Sequence, residues 1–208
     1  GSEGEAGASE NADALPVARQ QETATMTPVE RLATKADGKQ RELVENQRGI
    51  TYYKLFGPYL AGAKKIVVED AYVRKPYQLR NLAEFLEMLL RCKNSDEDVA
   101  VHLVTGHNEP GFVEAQLNGL NELASTFSQL GVNLTYEFRD TLHDRSITSD
   151  TGWEILPGRG LDIFQKFVDG DWLNPLLRHQ QLRRVKECKI TSVSYTHLRA
   201  HETKAISY

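Results

Sequence analysis

The sequence predicts a single α/β domain built on a mixed sheet flanked by helices. Three observations carry that expectation. Short apolar runs suited to strands, Ile66 to Val68 and Val99 to Val104, alternate with longer segments of helical period. A hairpin signal and a last short strand follow them, which makes the sheet mixed rather than purely parallel. The region that contains all of these is bounded on its N-terminal side by a polar, acid-rich stretch.

The elements follow in chain order. Residues 1–47 are rich in Glu, Ala, Ser, Gly and Thr and offer little apolar surface to bury, so they read as a flexible acidic linker with a further domain before it. Within it the TPVE of residues 27–30 resembles a helix start, but the apolar face behind it is thin. The run TYYKLFGPYLAGA predicts a short helix with Tyr53, Phe56 and Leu60 on one face, ended by Gly62. KKIVVED reads as a strand buried on both faces. From Tyr77 to Lys93 the spacing of Leu79, Leu82, Phe85, Leu86, Leu89 and Leu90 predicts a long amphipathic helix. VAVHLVT is a second buried strand, residues 110–130 a helix stopped by Gly131, and NLTYEF a third strand. LHDRSIT and GWEILPG predict a hairpin around the turn SDTG, and VKECKIT, residues 185–191, the last strand. Residues 193–203, VSYTHLRAHET, match the translation of a transposase sequencing adapter, so 193–208 is expected to be adapter-derived and not native. The spacing of His197 and His201 in that tail is therefore not read as a metal pair, and no metal or cofactor is expected.

Charge narrows the function classes. The formal net charge is −4, and residues 1–47 hold nine acidic against five basic side chains, which accounts for all of it. Residues 48–191 hold nineteen acidic and eighteen basic, so the domain is nearly neutral and strong nonspecific attraction to polyanions is not expected from net charge. Cys92 and Cys188 read as buried free thiols in a reducing compartment. No apolar run is long enough to span a bilayer, and the expected location is cytoplasmic, at most peripheral to a membrane.

The chemistry-bearing segment is RDTLHDRSITSDTGWEILPGRGLDIF, residues 139–164. It sets His143, Arg145 and Asp150 in the order H-x-R-x-x-x-x-D, one substitution from the H-x-K-x-x-x-x-D signature of the phospholipase D superfamily. On a strand, residues two apart share a face, so an imidazole can attack a phosphoryl group whose oxygens the cation holds. The segments VEDAYVR, LHDRSI, TGWEI and GRGLDIF together resemble the phospholipase D-like domain at the C-terminus of eukaryotic MIT-domain proteins that work with the ESCRT abscission machinery. The resemblance spans residues 49–191. LFGPYLAGAKKIVVEDAYVR is also similar to the tails of bacterial Lon-like or AAA ATPases, including those of BREX-type phage-defence systems.

That resemblance implies a phospholipase D-like fold over residues 48–192. A working site of this kind pairs two such motifs, one His attacking phosphorus and the other protonating the leaving group, and this chain has one. Arg145 keeps a permanent cation with bidentate geometry for phosphate. Arg74, at the end of a strand carrying Glu69 and Asp70, and Arg159, between two glycines, complete a candidate anion pocket. Its competitor is a structural network in which Asp70 or Asp162 ties an Arg to a loop. His102 reads as a core or edge histidine, His107 as a solvated loop residue, Trp153 and Trp172 as core and lid residues, and Arg183 to Lys186 as a modest basic run. The expected function is therefore a noncatalytic binding module that docks a larger machine, an upstream ATPase or protease-like domain of a bacterial protein, onto a phosphate-bearing target. A lipid head group or nucleic-acid backbone supplies that phosphate. The alternative is a homodimeric phosphodiesterase or nuclease that brings two copies of His143 together.

Overall fold

The structure is a computed structural model that describes residues 25–166, 170 and 173–195. Trp172 and most of the acidic and adapter-like ends lie outside them. The elements run α1 (Pro28–Ala33), β1 (Lys39–Leu43), α2 (Tyr52–Leu60), β2 (Lys65–Glu69), α3 (Pro76–Cys92), β3 (Val99–Thr105), α4 (Val113–Ser128), β4 (Val132–Phe138), β5 (Ser146–Ser149), β6 (Trp153–Pro157), α5 (Pro175–Arg178) and β7 (Cys188–Ser194). A 3-10 turn, Gln180–Leu182, precedes β7. Seven strands form one sheet in the order β1-β7-β6-β5-β2-β3-β4. The β2, β3 and β4 strands are parallel and every other pairing is antiparallel, the mixed sheet expected from the sequence.

Helices α3 and α4 lie on one face of this sheet, with α2 packed against α3. The crossovers β2-α3-β3 and β3-α4-β4 step in the same direction, and right-handed connections in one direction put both helices on the same side. Ile66, Val68, Val101, Leu103 and Ile147 face that side and are buried. Their neighbours Lys65, Val67, Ala100, Asn133 and Thr135 face the other side and are exposed. The expectation that β2 is buried on both faces is thus corrected: Val67 is 37% exposed, because an apolar run of three cannot reveal that one sheet face is uncovered.

Three boundaries also move. Residues 28–43, assigned to the linker, are α1 and β1. Thr27 caps α1 with a reciprocal capping box to Glu30, and β1 pairs with β7 through Leu43 opposite Cys188. The β7 strand extends to Ser194, so the sheet takes in the first residues of the adapter-like tail, and Val185 makes only an isolated bridge to Phe164. The α4 helix starts at Val113 rather than Pro110 because Gly111, at φ 93°, is left-handed and cannot continue a right-handed helix.

In α2 Tyr52 and Tyr59 are buried, while Tyr53 is half-exposed beneath the Arg91 guanidinium. Tyr52, Phe56, Phe85 and Phe164 form one aromatic cluster in stacked and edge contacts. Trp153 packs edge-on against Tyr59, the core role expected of it. Cys92 and Cys188 are free and buried, and burial pushes the Cys92 thiol up to about 12.

Candidate functional site

Parallel strands gather their C-terminal ends at one edge of a sheet, and the loops there collect ligands. Asp70 to Arg74 follow β2, Gly106 and His107 follow β3, and Arg139 to Arg145 lie between β4 and β5. Because β5 runs antiparallel to β2, with Ser146 opposite Glu69, Arg145 arrives beside Asp70. The β6 strand returns to the same edge and delivers Gly158, Arg159 and Gly160.

Asp70 is the buried anchor. Its carboxylate accepts the Tyr72 N–H at 2.9 Å and the Leu161 N–H at 3.2 Å, with Arg145 Nε at 3.9 Å. Burial raises the pKa of this carboxyl, against the pull of the two amides and Arg145. Arg145 also donates from Nη1 to the Gly158 carbonyl at 3.2 Å. Gly160, at φ 62°, is required here, since a Cβ on it would stand 2.0 Å from Asp70 Oδ2.

Tyr72, 47% exposed, organises the cations. The Arg74 and Arg145 guanidiniums lie 4.6 and 4.9 Å from its ring centroid, so they stand within about 10 Å of each other. Arg74 additionally donates to the His107 carbonyl at 3.1 Å. Buried Gln116 locks these loops together through the Val73 and Gly106 carbonyls and the Asn108 N–H.

The remaining predicted residues separate. Arg159 sits on the adjoining loop, its Nε donating to the Glu187 carbonyl at 2.9 Å, away from the Tyr72 pair. His143 and Arg145 precede β5 rather than lying within it, so strand alternation does not align them. His143 is exposed and makes no hydrogen bond or ion pair among the described residues. Asp150 is at the far end of β5, where it accepts the Lys64 N–H at 3.0 Å, so it holds the start of β2 and does not orient His143. The structural network weighed against the pocket is real in part: Asp70 faces Arg145, and Asp162 pairs with Lys186 at 3.1 Å.

His107 is more organised than a solvated loop residue. Its Nδ1 lies 2.9 Å from Asp140 Oδ2 and its ring stacks on Phe138 at 4.0 Å. The backbone N–H of His107, and then its ring, hold the Asp140 carboxyl below the usual aspartate range. His102, expected in the core or at an edge, instead stands on the open face of the interior strand β3, bonded to Thr135 at 2.7 Å and 3.4 Å from Glu137. Tyr72 and Asp140 escaped the sequence reading. The placement of Tyr72 between Asp70 and Arg74 in VEDAYVR was the available signal for the first.

A model of the phospholipase D-like domain at the C-terminus of MIT matches residues 49–195. The chain belongs to this family. It is similar to MIT domain-containing protein 1 of Mus musculus, 37% identical over 138 residues, which cover 64% of this chain and 54% of the relative. The chain thus spans about half the length of that curated relative. Among the described residues no helix is long and apolar enough to cross a membrane, and no cluster of three or more His, Cys, Asp or Glu is arranged to hold a metal ion.

Proposed function

We propose that the domain is a noncatalytic binding module whose strand-end edge holds a phosphate-bearing ligand through Arg74 and Arg145. The observation that carries this reading is the pair of guanidiniums set against one exposed tyrosine, beside a histidine without a partner. A nucleophilic or acid-base histidine needs a second group to fix its tautomer and aim its ring, and His143 has none among the described residues. Two permanent cations with forked donors need no such help to hold phosphate oxygens.

The module thereby docks a larger protein onto an anionic membrane, a nucleic-acid backbone or a phosphate-bearing partner. The name of the mouse relative supports an MIT domain elsewhere in that larger protein, whereas a Lon-like ATPase rests only on the resemblance of LFGPYLAGAKKIVVEDAYVR to bacterial tails. A second reading, a homodimeric phosphodiesterase, is favoured by the exposure of His143 at the same edge, where a second copy can meet it.

Binding of the full chain to phosphatidylcholine vesicles with and without phosphatidylserine, to a single-stranded oligonucleotide and to inorganic phosphate tests the reading. Near an anionic surface each cation contributes about 1 kcal/mol, so Arg74→Ala with Arg145→Ala is expected to weaken vesicle binding roughly 30-fold. The melting temperature confirms that the variant is folded. Unchanged binding of all three probes by the folded variant contradicts the site.

A further inference from the structure

Away from the strand-end edge, the chain around α5 forms a groove of about 410 Å³ lined by Arg48, Lys166, Leu176, Leu177, Arg183 and Arg184, with three polar side chains besides. That volume is in the range of ligand-binding pockets. Among the described residues that line it there is no carboxylate. Arg183 is buried and its charge is matched by Glu84, 3.4 Å away. The other three cations are different. The Arg48 and Arg184 side chains are exposed and form no ion pair or hydrogen bond among the described residues, and the Lys166 ammonium lies over the Tyr77 ring, at 5.0 Å. Glu45, which accepts the Gln165 side chain at 2.5 Å, is engaged by the Glu187 N–H at 2.7 Å rather than by a groove cation. The lining also carries the apolar Leu176 and Leu177, with Leu176 51% exposed, and Leu173, three residues before Leu176, is 78% exposed.

We propose that this groove is a docking site for an acidic peptide segment of a partner protein, with carboxylates on Arg48, Lys166 and Arg184 and an apolar side chain against Leu176 and Leu177. Each feature selects that ligand over its rivals. A free phosphate leaves the leucines unpartnered. A single-stranded nucleic acid needs aromatic faces for its bases, and no aromatic side chain is among the described residues that line the groove. A bilayer is flat and cannot enter a concave site. Unpaired cations beside apolar surface are what an alternating Glu and Leu segment complements.

The test is fluorescence anisotropy of the full chain with a fluorescein-labelled peptide of Glu pairs alternating with Leu, beside the same peptide with Gln for Glu. The expected result is saturable binding that weakens as salt rises, is lost with the Gln peptide, and falls at least tenfold in Arg48→Glu/Arg184→Glu, two surface changes with no contacts to break. Leu176→Asn, on an exposed position, is expected to weaken binding without changing its salt dependence. Equal binding by the parent chain and the double charge reversal overturns the proposal. So does loss of vesicle binding, but not of peptide binding, in that variant, because the groove then belongs to a membrane surface.

Discussion

At the scale of single residues, the site depends on a missing methyl group. Gly160 passes so close to Asp70 that any side chain would displace the carboxylate that Arg145 faces, and its positive φ is one that an alanine adopts only under strain. Gly160→Ala is expected to cost roughly 2–4 kcal/mol, combining backbone strain with overpacking. Urea unfolding measures this, and an unchanged midpoint would show that the loop does not rest on Asp70. The GRG spacing made the close approach readable from sequence, because glycines flanking a charged residue mark a loop that must run near something. What it ran near was not readable, since Asp70 lies 91 positions away from the Leu161 amide it accepts. Asp150 shows the opposite failure. A motif position and a turn position coincide there, and the backbone N–H of Lys64 took the side chain.

At the scale of elements, α3 and the 3-10 turn before β7 are joined by a partly buried charge network. Glu84 accepts Gln180 Nε2 at 2.5 Å and faces Arg183, whose guanidinium also covers the Phe164 ring at 4.6 Å. Burial dominates both ions, raising the Glu84 carboxyl and lowering the Arg183 guanidinium despite their attraction. Arg183→Met leaves that carboxylate without its cation and is expected to destabilise the fold by about 3–5 kcal/mol, with most of the loss recovered in Glu84→Gln/Arg183→Met. Thermal unfolding of the three proteins checks the coupling, and additive losses would contradict it. Periodicity exposed α3 itself, down to Leu82, Phe85, Leu86 and Leu89 among its buried positions. Arg183 reads in sequence only as part of a modest basic run, because its partner is 99 residues distant and no local pattern encodes it. Short β5 was overextended for a related reason: alternation in LHDRSIT cannot say where pairing with β2 stops.

For the whole molecule, the strand and helix order was legible because alternating apolar periods leave few topologies, whereas the edge strand was not. β1 carries a single buried residue, Leu43, so its sequence KQREL looks like linker, and only β7 supplies its ladder. Deleting residues 1–47 removes Leu32 and Leu43 from the core and opens the β7 edge. From two buried leucines at about 1.5–3 kcal/mol each, the loss is roughly 3–6 kcal/mol, accompanied by concentration-dependent aggregation. Light scattering and unfolding of the shortened chain read both effects, and a monomer of unchanged stability would show that β1 is dispensable. With the edge strand retained, the direct test of a noncatalytic edge is hydrolysis of a chromogenic phosphodiester and of single-stranded DNA by the full chain, alongside His143→Ala. Equal, background-level rates for the two proteins are expected. Turnover by the parent chain that disappears in His143→Ala would contradict the account and establish a phospholipase D-type enzyme.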